Sequence, residues 1–181
     1  MAEEIEVSRE MKAIIIPSGE PIMVSAGSRA TITQSLGGSY TLITDRGYMV
    51  RVSGKEVEAI GKEPPAEVKL EGKAEKEDLD KLVWDQLKSC FDPEIPVNIV
   101  DLGLVYQCEL TEIDESAFDV EIKMTLTAPG CGMGPVLAND VKMKVESLPA
   151  IRNANVQVVF DPVWDRTMMS EAAKLQLGMY Y

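Results

Sequence analysis

The stretch Thr125-Leu-Thr-Ala-Pro-Gly-Cys131-Gly-Met-Gly134-Pro-Val136 sets one thiol at the centre of a glycine-rich turn. Proline is tolerated at the first position of a helix, so Pro135 places Cys131 just ahead of a helix N-terminus. Unpaired N–H groups and the helix dipole there stabilise an anion and favour the thiolate. Gly130, Gly132 and Gly134 remove side-chain bulk on both sides of the sulfur. Thr125 and Thr127, on the polar face of the incoming strand, are in place to hydrogen-bond a thiolate or a bound ion. On position alone, a small buried cysteine beside a tight turn explains Cys131 equally well. A phosphate loop fits worse, because G-x-G-x-G lacks the last spacing of a dinucleotide loop and no Gly-Lys-Ser/Thr follows.

A second constrained run, Cys90-Phe-Asp92-Pro-Glu94-Ile-Pro96, lies upstream. Asp92 suits the cap of a turn begun by Pro93. Glu94 has no such structural task and is free for a cation or a partner. Residues 98–103 suit a further turn, with Gly103 left-handed. The two loops are expected to meet and form one site. A thiol facing carboxylates, without histidine, suits a transient site for iron or another soft-to-borderline cation. One chain lacks four thiolates, so an all-cysteine cluster requires Cys90 and Cys108 to join, or two chains to share it. Cys108 alternates in phase with Leu104, Tyr106 and Leu110 and reads as core, whereas Cys90 suits either core or ligand. Trp84, Trp164, Met168 and Met169 read as packing residues.

Composition narrows the chemistry further. The chain of 181 residues has no histidine, which removes serine–histidine and cysteine–histidine catalysis and histidine-ligated zinc. Three cysteines without a C-x-x-C pair suit a reducing cytoplasm rather than a disulfide framework. The net charge of −12 is uneven: about −2 over residues 1–74 and −10 over residues 75–181. Such a surface repels phosphate backbones, so nucleic acid is an unfavourable partner and basic proteins or cations are favourable ones. No signal pattern and no bilayer-spanning apolar run is visible, so no membrane association is expected.

These loops need elements to hold them. Residues 1–10 read as a frayed, charged end. Short apolar runs up to Val57-Glu-Ala-Ile60, separated by glycine turns, read as a small all-β domain suited to docking. A proline-bearing linker follows, with Val68-Lys-Leu70 as an optional edge strand, which sets the domains at 1–73 and 74–181. Leu79, Leu82, Val83, Leu87 and Cys90 then follow helical spacing. Leu104 to Leu110 and Phe118 to Leu126 alternate as two strands joined by a turn at 114–116. Val136, Leu137, Val141, Val145 and Leu148 give a second helix. Val156, Val158 and Phe160 give a third strand, and Ser170 caps a last short helix. The fold class is α+β: a small all-β domain, then α-β-β-α-β-α with a hairpin and a helical crossover.

Asp92-Pro-Glu-Ile-Pro-Val-Asn-Ile-Val-Asp-Leu-Gly-Leu-Val-Tyr106, then Met124-Thr-Leu-Thr-Ala-Pro-Gly-Cys131, then Asp161-Pro-Val-Trp164, resemble the iron–sulfur maturation domain of SufT and PaaD-type proteins. The resemblance covers about residues 75–181. The β-rich extension and the Met169-Ser-Glu-Ala-Ala-Lys tail are similar to longer SufT-type members. It implies an iron–sulfur-assembly-like domain with a three-stranded mixed sheet. It also implies a cytoplasmic factor that delivers or matures clusters on apo client proteins with the assembly machinery, and not an enzyme. Carried over residue by residue, the family's functional positions fall on Cys131 as reactive thiol or labile metal ligand, with Asp92, Glu94 and Thr127 in support. Some relatives place a second Thr after the position of Thr127 and a Pro after the cysteine; Ala128 and Gly132 stand here, which removes a hydroxyl and loosens the loop. The implied cofactor is a transient iron–sulfur cluster or iron, and a homodimer is compatible. The rival readings are a metal-free adaptor and, behind it, a thiol enzyme.

Overall fold

The structure is a computed structural model that describes residues 2–92 and 95–179. The chain divides into two compact units, Met1–Ala66 and Glu67–Tyr181.

The first unit is a six-stranded, fully antiparallel sheet. Its strands are β1 (Glu3–Glu6), β2 (Met11–Ile15), β3 (Pro21–Val24), β4 (Arg29–Leu36), β5 (Ser39–Thr44) and β6 (Met49–Val52), in the order β1-β4-β5-β6-β2-β3. Alternation puts Ala30, Ile32, Leu42, Val50 and Val52 into one core with Val7 and Met11. Two expectations fail here. The charged start is not frayed: Glu3–Glu6 pairs with Arg29–Ile32, and Lys62 holds Glu3 at 2.8 Å. Backbone pairing outweighs the polarity of those side chains, because an edge strand leaves them in water. Val57–Ile60 is a 3-10 turn rather than a strand, closed by Gly61 at φ 72°. Its Val57, Ala59 and Ile60 plug the same core.

The second unit follows the order read from the sequence. It runs α1 (Lys76–Lys88), β7 (Val105–Asp114), β8 (Ala117–Met124), α2 (Gly134–Glu146), β9 (Ile151–Val158), a 3-10 turn at Arg166–Met168 and α3 (Glu171–Gln176). The sheet is mixed: β7 and β8 form an antiparallel hairpin, and β9 adds parallel to β8. Leu79, Val83 and Leu87 of α1 and Leu137, Val141 and Val145 of α2 are buried with Val120, Ile122 and Met124 of β8. Each such side chain contributes about 1.5–3 kcal/mol of burial. Val68 and Leu70 form no strand, but both pack against this core. In α3, Ala173 is buried and Leu175 is 58% exposed.

Candidate functional site

Two prolines, Pro93 and Pro96, follow α1 in the sequence, and proline cannot continue a helix. Asp92 is buried, and its Oδ1 accepts from the Ile95 N–H at 3.1 Å, the cap expected of it. Asn98 organises the next turn. Its Oδ1 accepts from the N–H groups of Val100 (3.0 Å) and Asp101 (2.9 Å), and its Nδ2 donates to Asp101 Oδ2 at 2.6 Å. Ile99 N–H donates to the Cys90 carbonyl at 2.9 Å, which closes the loop on the end of α1.

The C-terminal tail straps this loop from the other side. Trp164 Nε1 donates to the Leu102 carbonyl at 2.7 Å, Ser170 N–H to the Asp101 carbonyl at 2.8 Å, and Gln176 Nε2 to the Pro96 carbonyl at 3.0 Å. Tyr106 donates its hydroxyl to the Pro162 carbonyl at 2.8 Å. Gly103 has φ 73°, and a Cβ there would collide with the carbonyl of Met168. Glycine is therefore required twice over, by backbone angle and by the close approach of the tail. The tail's own 3-10 turn is capped by Asp165, whose carboxyl accepts from the hydroxyl and the N–H of Thr167 and is held below the usual carboxylate range by these bonds.

The cysteine loop is built by lighter means. β8 ends at Met124, and Thr125 to Thr127 leave the strand. Thr125 is buried, with its N–H donating to the Leu104 carbonyl at 2.8 Å, rather than on the polar face as alternation predicts. The strand has ended by then, so the two-residue period no longer applies. Thr127 is half-buried. Gly130 turns the chain at φ 81°, Cys131 N–H reaches the Ala128 carbonyl at 3.3 Å, and Gly134 N–H reaches the Cys131 carbonyl at 3.2 Å. Met133 is the N-cap of α2, with Pro135 in its first turn. A Cβ on Gly134 would lie 2.9 Å from Leu126 Cδ1, so the small residue lets the helix start against Leu126.

The three thiols have different surroundings. Cys90 is fully buried, and its Sγ donates to the Gln86 carbonyl at 3.5 Å. Cys108 is pushed up to about 12, chiefly by burial and then by the charges of Asp80 and Glu109, and stays a thiol at neutral pH. Cys131 is half-buried on its loop and packs against the core that contains Cys90. Asp92 lies just beyond the end of α1, and Cys131 just before α2. Glu94 lies outside the described residues. Among the described residues no group of three or more Cys, Asp or Glu side chains comes together in a way that would hold a metal ion.

Sequence reasoning missed one polar anchor near this site. Lys144 is half-buried on α2, where Nζ donates to the Ser89 carbonyl at 2.6 Å and lies 3.7 Å from Oδ2 of the buried Asp140. It neutralises the negative end of α1 and ties that end to α2. The i, i+4 spacing of Asp140 and Lys144 was the available signal, but charges so spaced usually face water.

Among the described residues no helix is long and apolar enough to cross a membrane. Residues 80–158 match the family model of an iron–sulfur cluster assembly protein. The chain is 44% identical over 92 residues to an Fe-S protein maturation auxiliary factor of Porphyromonas gingivalis, covering 51% of this chain and 84% of that one. It is 42% identical over 88 residues to the Fe-S protein maturation auxiliary factor SufT of Staphylococcus aureus, covering 49% of this chain and 96% of that one. A crystal structure of a domain of unknown function from Bacillus anthracis superposes with a TM-score of 0.51 at 36% identity, over 57% of this chain and 95% of that one. With motif, fold and relatives in agreement, this chain belongs to the iron–sulfur cluster assembly family.

Proposed function

We propose that this chain is an auxiliary factor of iron–sulfur maturation in the cytoplasm, working beside the assembly machinery on apo client proteins. In this role Cys131 is its reactive thiol or labile ligand. The observation that carries the assignment is the contrast among the thiols: Cys90 is sealed in the core, Cys108 is half-buried within β7 and held protonated, and Cys131 is half-buried on a lightly bonded loop. Asp92 shapes the turn after α1, Thr127 lies on the thiol's own loop, and Glu94 contributes a further carboxylate by its place in the sequence. One accessible thiol is not a ligand sphere. A cluster or iron is therefore cargo, with its remaining ligands supplied by the donor, the client or a second copy of the chain. The factor aids transfer and catalyses no turnover of its own. The first unit serves as the docking module.

The test is anaerobic reconstitution with iron and sulfide, read by absorbance and metal analysis, on the wild type beside Cys131→Ser. It is paired with rescue of a cluster-dependent enzyme in a strain lacking the gene. The expected result is a labile chromophore and rescue, both lost with Cys131→Ser. Full rescue by Cys131→Ser overturns the assignment. The metal-free adaptor is the second reading, favoured by the lack of a metal-holding side-chain group among the described residues. It requires client binding that survives Cys131→Ser and no chromophore in either protein. A thiol titrating near the ordinary value of about 8.5 removes the thiol-enzyme reading.

A further inference from the structure

The two outer edges of the three-stranded sheet are treated differently. At β9 the edge is closed by α2. Glu146 Oε1 accepts from the Ala154 N–H at 3.1 Å, and Lys142 Nζ donates to the Ala154 carbonyl at 2.7 Å and to Asn153 Oδ1 at 3.4 Å. The two side chains also pair with each other at 2.7 Å. The backbone donor and acceptor of Ala154, midway along β9, are therefore already taken, which blocks an added strand at that point.

At β7 the edge is open. This strand has 10 residues and pairs only with β8. Among the described residues no other backbone hydrogen bond involves positions 105–114. Its exposed part carries Glu109, Glu112 and Asp114, and Glu109 stands directly opposite Glu121 of β8. Like charges opposed across strands destabilise a sheet, and an opposite charge laid alongside relieves them. A second copy of this chain would set one acidic edge against another. A basic strand matches both the open backbone and the charge.

We propose that the free edge of β7 takes up an extended, basic segment of a partner protein as a fourth strand, with Lys or Arg side chains set against Glu109 on the face it shares with Glu121. Backbone hydrogen bonds supply the affinity, and the acidic side chains select the partner. The net charge of about −10 over residues 75–181 draws such a segment in from a distance. The inference concerns the sheet edge and stands apart from the role of Cys131.

The test uses the full chain at physiological salt and three labelled peptides matched in length to β7. One alternates Lys and Val, one alternates Glu and Val, and the third is the Lys-Val peptide with alternate backbone amides N-methylated. Fluorescence anisotropy reads binding, and amide hydrogen exchange locates it. The Lys-Val peptide is expected to bind and to slow exchange across residues 105–114. N-methylation, or the double variant Glu109→Lys with Glu121→Lys, is expected to weaken binding about tenfold or more. Both replaced side chains are exposed, so the variant keeps its core. Equal binding by the N-methylated or the acidic peptide overturns the proposal, as does the absence of binding. Sedimentation showing a dimer that protects β7 without peptide also overturns it, because the occupant is then a second copy.

Discussion

The loop after α1 and the loop before α2 are made to opposite specifications. The first, from Cys90 to Leu104, is fastened by side chains from inside and by the tail from outside. The second, from Thr125 to Gly134, has long backbone bonds around its cysteine and, among the described residues, no hydrogen bond from the tail. A fastened loop fixes the direction of a carboxylate, and a lightly held one lets a thiol adjust its reach. That division suits a protein that must receive and release cargo.

Two glycines test the comparison most directly, because they share a left-handed backbone and differ in surroundings. Gly103→Ala adds a collision with the Met168 backbone to the conformational strain and should cost about 3 kcal/mol or more. Gly130→Ala meets open space and should cost about 1 kcal/mol. Urea unfolding followed by tryptophan fluorescence reads this, since Trp84 and Trp164 both lie in the second unit. Equal costs would remove the strap from the account. Next in size is Asn98→Ala, which strips the partners from two backbone N–H groups and should cost about 2 kcal/mol in the same assay. Trp164→Phe deletes the bond to Leu102 while keeping a ring, and about 1 kcal/mol is expected. Smallest is Cys131→Ser, within about 0.5 kcal/mol of the wild type, because the thiol packs only at the margin of the core. A large loss there would make Cys131 a structural residue.

Cys108 gives a pH test of the same kind. Its thiol is raised from 9.0 to about 12 in the folded chain, so the folded state holds the proton more tightly than the unfolded one. The contribution to stability is complete below pH 9.0 and is lost as pH rises toward about 12. Cys108→Ala should flatten the fall in stability over that interval. At pH 8 an alkylating reagent should label Cys131 well before Cys108 or Cys90, as peptide mapping would show.

Much of this architecture is legible in local pattern. The alternation of Phe118, Val120, Ile122 and Met124 gives β8, Pro135 places the start of α2, and Ser170 caps α3. Asp92 and Gly103 also behave as their types predict. The strap was not legible, because Trp164 to Leu102 and Gln176 to Pro96 join residues more than 60 positions apart. Periodicity carries no signal for such pairs. Trp164 read as packing when its indole N–H is also an anchor. The clip of Lys142 and Glu146 on Ala154 was hidden because the same spacing serves an ordinary surface pair. At the candidate site, the full burial of Cys90 against the half-burial of Cys108 and Cys131 came from tertiary packing alone.

The parallel pairing of β9 with β8 also orders events in time. The β7–β8 hairpin needs only its own turn to form, whereas β9 cannot dock until the chain has run through α2 and back. Short-range closure precedes long-range closure, so the segment bearing Cys131 is among the last to settle. A newly made chain thus shows its thiol before the sheet is complete. Pulsed hydrogen exchange during refolding should protect β8 against β7 first, and residues 125–134 only together with β9.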